Sequence, residues 1–330
     1  MRFLAGHTKE VRDAVFLPDG RLVSVSGDKT ARLWDPVAGT GTVIHKAKGP
    51  LYALAVSPDG RTVAVSGRQP EPETEVTFYD VQAGRITLSV TRGTLSSTST
   101  WEMTAGGVVS NLETAESNWD PRRSRSIWSL SFSADGRLLA EAGRRPGAAN
   151  IPNGGGGHVS KFRDTGRDTD LPDEDAYAVR FAPTEPLLAV TVRRGVRFYE
   201  ADDLSERFTY PVQCDWAPAV TFLPADGRAA IAAGSFVHLV DPTGNRKPVK
   251  VKSQSRTVTA LAPTPDGNSL LVGGKPGRVE VFDVTAPKPT RRAAFDFDVG
   301  GVYGLAVAPD GLTFAVAADK GLLVCDVEAG

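Results

Sequence analysis

His7, Ser24 and Asp28 are the side-chain types that hydrolases combine into a nucleophile, its base and the acid that orients the base. Other residues raise the question of metals. The four histidines, His7, His45, His158 and His238, have no paired spacing, and no CxxC occurs, so a zinc-type ligand set is not expected. Asp168, Asp170, Asp173, Glu174 and Asp175 resemble the opening of a calcium loop. Gly at the sixth place and Glu at the twelfth are missing, which excludes an EF-hand and leaves a solvated link or a docking patch for a basic partner. Gly154–Gly157 is followed by HVSKF, a strand-like run without a Lys-Ser/Thr pair, so it reads as a flexible loop rather than a phosphate cradle. Arg122, Arg123, Arg125, Arg144 and Arg145 could clamp carboxylates or phosphates, but taken alone they read as ordinary surface.

The three triad-like residues belong to a longer pattern, GHTKEVRDAVFLPDGRLVSVSGDKTARLWD, from Gly6 to Asp35. It joins a Gly-His pair, two alternating apolar runs, a Pro-Asp-Gly turn, an Asp-Lys-Thr turn and a terminal Trp-Asp. Fainter copies recur. The strand before each tight turn ends at Phe16, Val56, Phe132, Phe181, Phe222, Pro263 and Val307, at intervals of 40, 76, 49, 41, 41 and 44 residues. Pro presets the first turn angle and Gly accepts positive φ, so PDG, ADG and PTE sequences after these strands close hairpins. The Trp34-Asp35 end is echoed by Tyr79-Asp80, Tyr199-Glu200, Val240-Asp241, Phe282-Asp283 and Cys325-Asp326, and approximately by Arg163-Asp164.

This pattern resembles a WD40 repeat, and a period of about 40–45 residues implies a radial array of four-stranded blades. The resemblance implies an all-β, seven-bladed WD40-type β-propeller forming one domain over residues 1–330, its last blade closed by an N-terminal strand from residues 1–5. It also implies that His7, Ser24, Asp28 and Trp34 form a structural hydrogen-bond network within the first blade rather than a catalytic triad. Only that blade keeps all four residues, so the others are expected to rely on apolar packing. Residues 91–125 lack a turn signature and a long alternating run, and read as an insertion between blades two and three, with a hairpin through Gly106-Gly107. Asn118-Trp119-Asp120-Pro121 mimics a repeat end and keeps a degenerate eighth blade as the alternative.

Composition suits such a chain: 330 residues with 34 Gly and 23 Pro supply many turns, and a formal charge of −1 gives no general affinity for polyanions. Nucleic acid is therefore not an expected partner. No 18-residue apolar run suggests a membrane span. The short run before Gly6 leaves no room for a signal peptide, so a cytoplasmic, monomeric protein is expected. Cys325 takes an aromatic place in its repeat and is expected in the core. Cys214 precedes a strand and reads as a free thiol.

Two features point to binding. Gly67–Glu75 and Gly143–Gly157 are enlarged second-to-third-strand loops, and with the insertion they emerge on one face at blades two and three. Loops that outgrow their connecting role often carry function. In addition, the position four before each inner-strand end holds Arg12, Tyr52, Trp128, Tyr177, Pro218, Thr259 and Tyr303. Family geometry places this position at the channel mouth on the enlarged face. Aromatics are only 8% of the chain yet occupy four of these seven places, and Tyr and Trp dominate interface hot spots. The sequence therefore predicts a non-catalytic scaffold that binds a protein partner through Tyr52, Trp128, Tyr177 and Tyr303, with Arg12, Trp101 and Trp119 contributing. No cofactor or metal is expected. The alternative from another class is a propeller hydrolase of lactonase type using the channel. It is disfavoured because the inner-strand positions are mostly apolar, with Asp13 and Arg180 as isolated exceptions.

Overall fold

The computed structural model describes all residues except 69–73, 93–97, 104–108, 116–125, 145–154, 162–168, 171–175, 213–216 and 328–330. Its strands form seven four-stranded antiparallel sheets and one two-stranded ladder. Each four-stranded sheet starts with a strand from the apolar runs read above. These first strands are Val11–Phe16, Leu51–Val56, Ser126–Phe132, Ala176–Phe181, Val220–Phe222, Thr257–Pro263 and Val302–Val307. In six sheets the other three strands follow in chain order. The sheet that begins at Val302–Val307 differs. Its outer position is taken by Arg2–Leu4, which pairs with Gly321–Asp326 in the register Arg2↔Val324, Phe3↔Leu323 and Leu4↔Leu322.

The core is cut into seven layers, each between two consecutive sheets. Val23, Val25 and Ala31 meet Leu51, Leu54 and Val63. Ala53 and Phe78 meet Ile127 and Leu130, and Ala140 and Ala142 meet Val179 and Leu188. Phe198 meets Phe222 and Ile231, Leu239 meets Leu261 and Val272, and Val281 meets Val302 and Phe314. The cycle closes where Leu4, Val11 and Trp34 pack on Ala306, Ala315 and Leu322. Every sheet thus buries both faces. This is why middle strands such as Leu187–Val192 and Ala229–Ala233 are buried at every position instead of alternating. Cys325 lies in the layer between the last two sheets, where burial pushes its thiol up to about 11. Cys214 lies outside the described residues.

The tight turns form a second ring of contacts. In three of them a Ser or Thr hydroxyl donates to the turn Asp, as Ser57 does to Asp59 at 2.6 Å, and Asp59 also accepts from the Arg61 amide. A Cβ on Gly60 would fall 2.5 Å from Pro18 Cδ, and one on Gly267 would fall 2.5 Å from the Ala225 amide nitrogen. These glycines therefore serve both a positive φ and a close approach to the preceding turn.

Residues 98–103 and 109–115 form the separate two-stranded ladder within the 91–125 segment, and among the described residues it pairs with no other sheet. Two boundaries read from sequence need correction. Thr91 and Arg92 complete the outer strand Arg85–Arg92 instead of opening an insertion. Gly155–Gly157 belong to the strand Gly155–Lys161 and pair with Ala142–Arg144, so the glycine run is ladder where a flexible loop was expected. The pairing of neighbouring backbones overrides glycine's weak strand preference here.

Gly20 and Gly267 occupy equivalent turn positions at φ of +86° and +70°, but a Cβ on Gly20 would meet nothing within 4 Å. Gly20→Ala should cost only backbone strain, about 1 kcal/mol, whereas Gly267→Ala adds a backbone clash and should cost about 2–3 kcal/mol. Urea denaturation of the two variants checks this ordering.

Candidate functional site

Six of the seven inner strands carry a β-bulge near their start, and the unpaired residue is the same in each. The register skips between Val11 and Asp13, Leu51 and Ala53, Ile127 and Ser129, Ala176 and Ala178, Val258 and Ala260, and Val302 and Gly304. The skipped residues are Arg12, Tyr52, Trp128, Tyr177, Thr259 and Tyr303. In the remaining sheet Pro218, which has no amide hydrogen to give a ladder, lies just before Val220–Phe222. A bulge leaves one residue unpaired and turns its side chain out of the normal alternation. Here it turns those side chains towards the axis of the ring. Together with Pro218, all but Tyr177 line a channel of about 280 Å³ that runs along the inner strands. Tyr177 stacks on Trp128, with ring centroids 6.2 Å apart and planes 2° from parallel.

The mouth residues are half-buried, except for the buried Thr259. Arg12 sits between two rings, its guanidinium carbon 4.3 Å from the Tyr303 centroid and 5.6 Å from that of Tyr52. It donates to Glu10 at 2.8 Å, while its buried Nε finds no partner. Tyr303 donates its hydroxyl to Asp319 Oδ1 at 2.7 Å, and Asp319 Oδ2 accepts from the Gly301 amide at 2.6 Å. Burial and the Asp319 hydrogen bond raise the Tyr303 phenol above its ordinary value. Lys275 Nζ lies 5.8 Å from the same ring. One half of the mouth, from the last two sheets to the second, is therefore a charged cation–π cluster. The other half is the stacked Trp128–Tyr177 pair. Trp101 lies on the two-stranded ladder, and Trp119 lies outside the described residues, as do the 122–125 arginines, Asp168 and residues 173–175.

Deeper in the channel, Asp13 packs on Gly304, where a Cβ would fall 2.9 Å from its Oδ1. Burial pushes its carboxyl up to about 7, against the pull of Arg180 and the Ala14 amide. Among the described residues no three His, Cys, Asp or Glu side chains are grouped to hold a metal, and no helix is long and apolar enough to cross a membrane.

The triad-like residues lie elsewhere, inside the first sheet. Asp28 Oδ2 accepts from the Thr8 amide at 3.0 Å and from His7 Nδ1 at 2.9 Å. That leaves His7 Nε2 to accept from the Ser24 hydroxyl at 2.8 Å, and Ser24 Oγ in turn accepts from Trp34 Nε1 at 2.8 Å. Ser24 is fully buried and Trp34 nearly so, and no substrate could reach the serine. Burial lowers the His7 pKa, against the opposing pull of Asp28. Burial opposes ionisation of Asp28, but hydrogen bonds from Thr30, Thr8 and His7 outweigh it and hold its carboxyl at about 2. A chain of donors running Trp, Ser, His, Asp ties the incoming link to the second and third strands of the sheet and to the turn between them.

Residues 1–35, which contain this chain of bonds, match the family model of the WD domain, G-beta repeat. The chain carries a WD40 repeat at its start and has the fold of a β-propeller. Solved propellers agree in fold. The WD40 β-propeller domain of Doa1 superposes with a TM-score of 0.73 at 14% identity, covering 99% of this chain and 96% of that one. A chain in the mitotic checkpoint complex gives 0.72 at 16% identity, covering 99% and 90%. Sequence similarity to curated proteins is confined to segments. Mouse transducin-like enhancer protein 2 is 35% identical over 65 residues, which are 19% of this chain and 8% of that protein. Protein groucho of Drosophila melanogaster is 26% identical over 92 residues, 27% and 13% of the two lengths. The tRNA (guanine-N(7)-)-methyltransferase non-catalytic subunit wuho of Drosophila ananassae is 32% identical over 111 residues, 32% and 24%. The matched segments thus span less than a quarter of each of these relatives.

The expectation that the other sheets rely on apolar packing needs correction in the sixth. Glu280, on the third strand Arg278–Asp283, is fully buried. Its Oε2 accepts from the Ser253 hydroxyl and from the Gln254 amide at 2.9 Å, and its Oε1 accepts from Arg291 at 3.0 Å. This carboxylate ties the link to the third strand, a task the His–Ser–Asp–Trp chain performs in the first sheet. The signal was an acid in the middle of the apolar run RVEVF.

Two outcomes follow from these groups. Ser24→Ala leaves the His7 and Trp34 nitrogens unsatisfied and should cost about 2–3 kcal/mol in denaturant titration. Asp13 ionises near 3.8 when unfolded but near 7 when folded, so the folded state holds the extra proton and stability falls as pH rises between those values. Asp13→Asn should therefore be more stable than wild type at pH 8, by up to about 4 kcal/mol, with the advantage vanishing towards pH 4. Thermal melts across that range check it.

Proposed function

We propose that the protein is a non-catalytic interaction scaffold, one domain over residues 1–330, whose mouth residues dock a protein partner. The seven four-stranded sheets are read as seven blades closed by Arg2–Leu4. The observation that carries the reading is the repeated bulge, which re-aims Arg12, Tyr52, Trp128, Tyr177 and Tyr303 at one end of the channel. Nothing in strand pairing requires that six sheets bulge at the same place, and a surface that gathers rigid aromatic rings is what interface anchors look like. A ring packed on both faces of every sheet is preformed, so little ordering entropy opposes docking. Trp101 on the neighbouring ladder, together with Trp119, would widen the surface at blades two and three. A chain of the same fold occurs in the mitotic checkpoint complex, an assembly, which agrees with a scaffolding role.

The mouth also defines the partner's chemistry. Asp319, Glu10, Lys275 and Arg12 present both signs of charge around the Tyr52 and Tyr303 rings, which suits a polar, aromatic-seeking peptide better than a uniformly charged one. Native-lysate pull-downs with wild type and the Tyr52→Ala/Trp128→Ala/Tyr177→Ala variant test the reading, with thermal melts to show that both are folded. Loss of a stoichiometric partner from the folded variant is expected. Unchanged capture would remove the mouth from consideration.

A further inference from the structure

Arg180 is next to last on the inner strand Ala176–Phe181, on the tight-turn side of the channel and away from the mouth. The equivalent places in the other blades hold Val15, Ala55, Ser131, Thr221, Ala262 and Ala306, all uncharged. The arginine is exposed where it lines the channel. No hydrogen bond or ion pair to a described residue holds it, and the only carboxylate acting on it is Asp13, on the first blade. Asp13 is itself drawn towards its protonated form by burial, which leaves the cation without a full counter-charge. Between the mouth and Arg180 the channel wall carries an apolar girdle of largely buried leucines, Leu54, Leu130, Leu261 and Leu305.

A lone cation in a cleft with low-dielectric walls focuses its field on an entering anion, and a guanidinium fork matches a carboxylate in two-pronged fashion. A hydrated inorganic anion would satisfy the charge but gain nothing from the leucines. We propose that the channel is a binding site for a small organic carboxylate, its carboxylate on Arg180 and its carbon body against the girdle. The channel volume of about 280 Å³ restricts the ligand to a few carbon atoms. The site lies below the mouth and does not depend on partner docking there.

Butyrate is the probe, titrated calorimetrically against the full chain at constant ionic strength, with sodium phosphate as the comparison anion. Saturable butyrate binding accompanied by a higher melting temperature is expected. Arg180→Met, which keeps the stem and removes the charge, should weaken binding about tenfold or more. Tyr177→Ala, the bulged mouth residue that does not line the channel, should leave butyrate affinity within about twofold, which separates this site from the docking surface. Val15→Trp, at the half-buried place on the first sheet equivalent to Arg180, fills the channel but keeps the arginine; it should abolish butyrate binding and covers the case in which Arg180→Met fails to fold. Absence of saturable binding, equal affinity in Arg180→Met or in Val15→Trp, or phosphate binding as tightly as butyrate would overturn the proposal.

Discussion

Each sheet in this chain buries both faces against its neighbours, so no packing layer can be lost without exposing two sheets. The layer formed last in sequence, where Leu4, Val11 and Trp34 meet Ala306, Ala315 and Leu322, is the one that joins the two ends of the chain. Three residues, Arg2–Leu4, supply the outer strand of the last sheet, and Leu4 also enters the core of that layer. An open ring would leave the apolar faces of the first and last sheets bare to water and Gly321–Asp326 without its outer partner. Closure is therefore the constraint that makes the other layers worth forming.

A closed ring also fixes the channel. With the inner strands held around one axis, a residue that bulges at the same step in six of the sheets lands on the same level of the channel. The mouth is thus a product of backbone register as much as of side-chain identity. Arg12 illustrates the coupling: its stacking on Tyr303 reaches across the closing layer from the first blade to the last. Gly304, immediately after Tyr303, must lack a Cβ for Asp13 to approach it there. The closing layer and the candidate site therefore share residues, and loosening one should disturb the other.

Much of this was legible in the sequence because the repeat carries its own punctuation. The PDG-type turns marked the inner strands from Phe16 to Val307, and counting four residues back from their ends located Arg12, Tyr52, Trp128, Tyr177 and Tyr303 without structural help. The bulges themselves were invisible, since an extra unpaired residue alters register without altering the apolar pattern. Glu280 was missed because its role was sought under the spelling His–Ser–Asp–Trp, whereas burying a carboxylate under two donors from the link and an arginine performs the same task. The glycine run at 155–157 misled because glycine's conformational freedom was weighed without the partner strand that removes it.

Native-state hydrogen exchange across the closing layer tests the closed ring most directly. If closure is the constraint on which the fold depends, the ladder amides joining Arg2–Leu4 to Leu322–Val324 should open only with global unfolding. Their free energy of exchange would then match that of the inner strands Val11–Phe16 and Thr257–Pro263. Exchange of those seam amides several kcal/mol more easily than the inner strands, with the rest of the ring still protected, would contradict it.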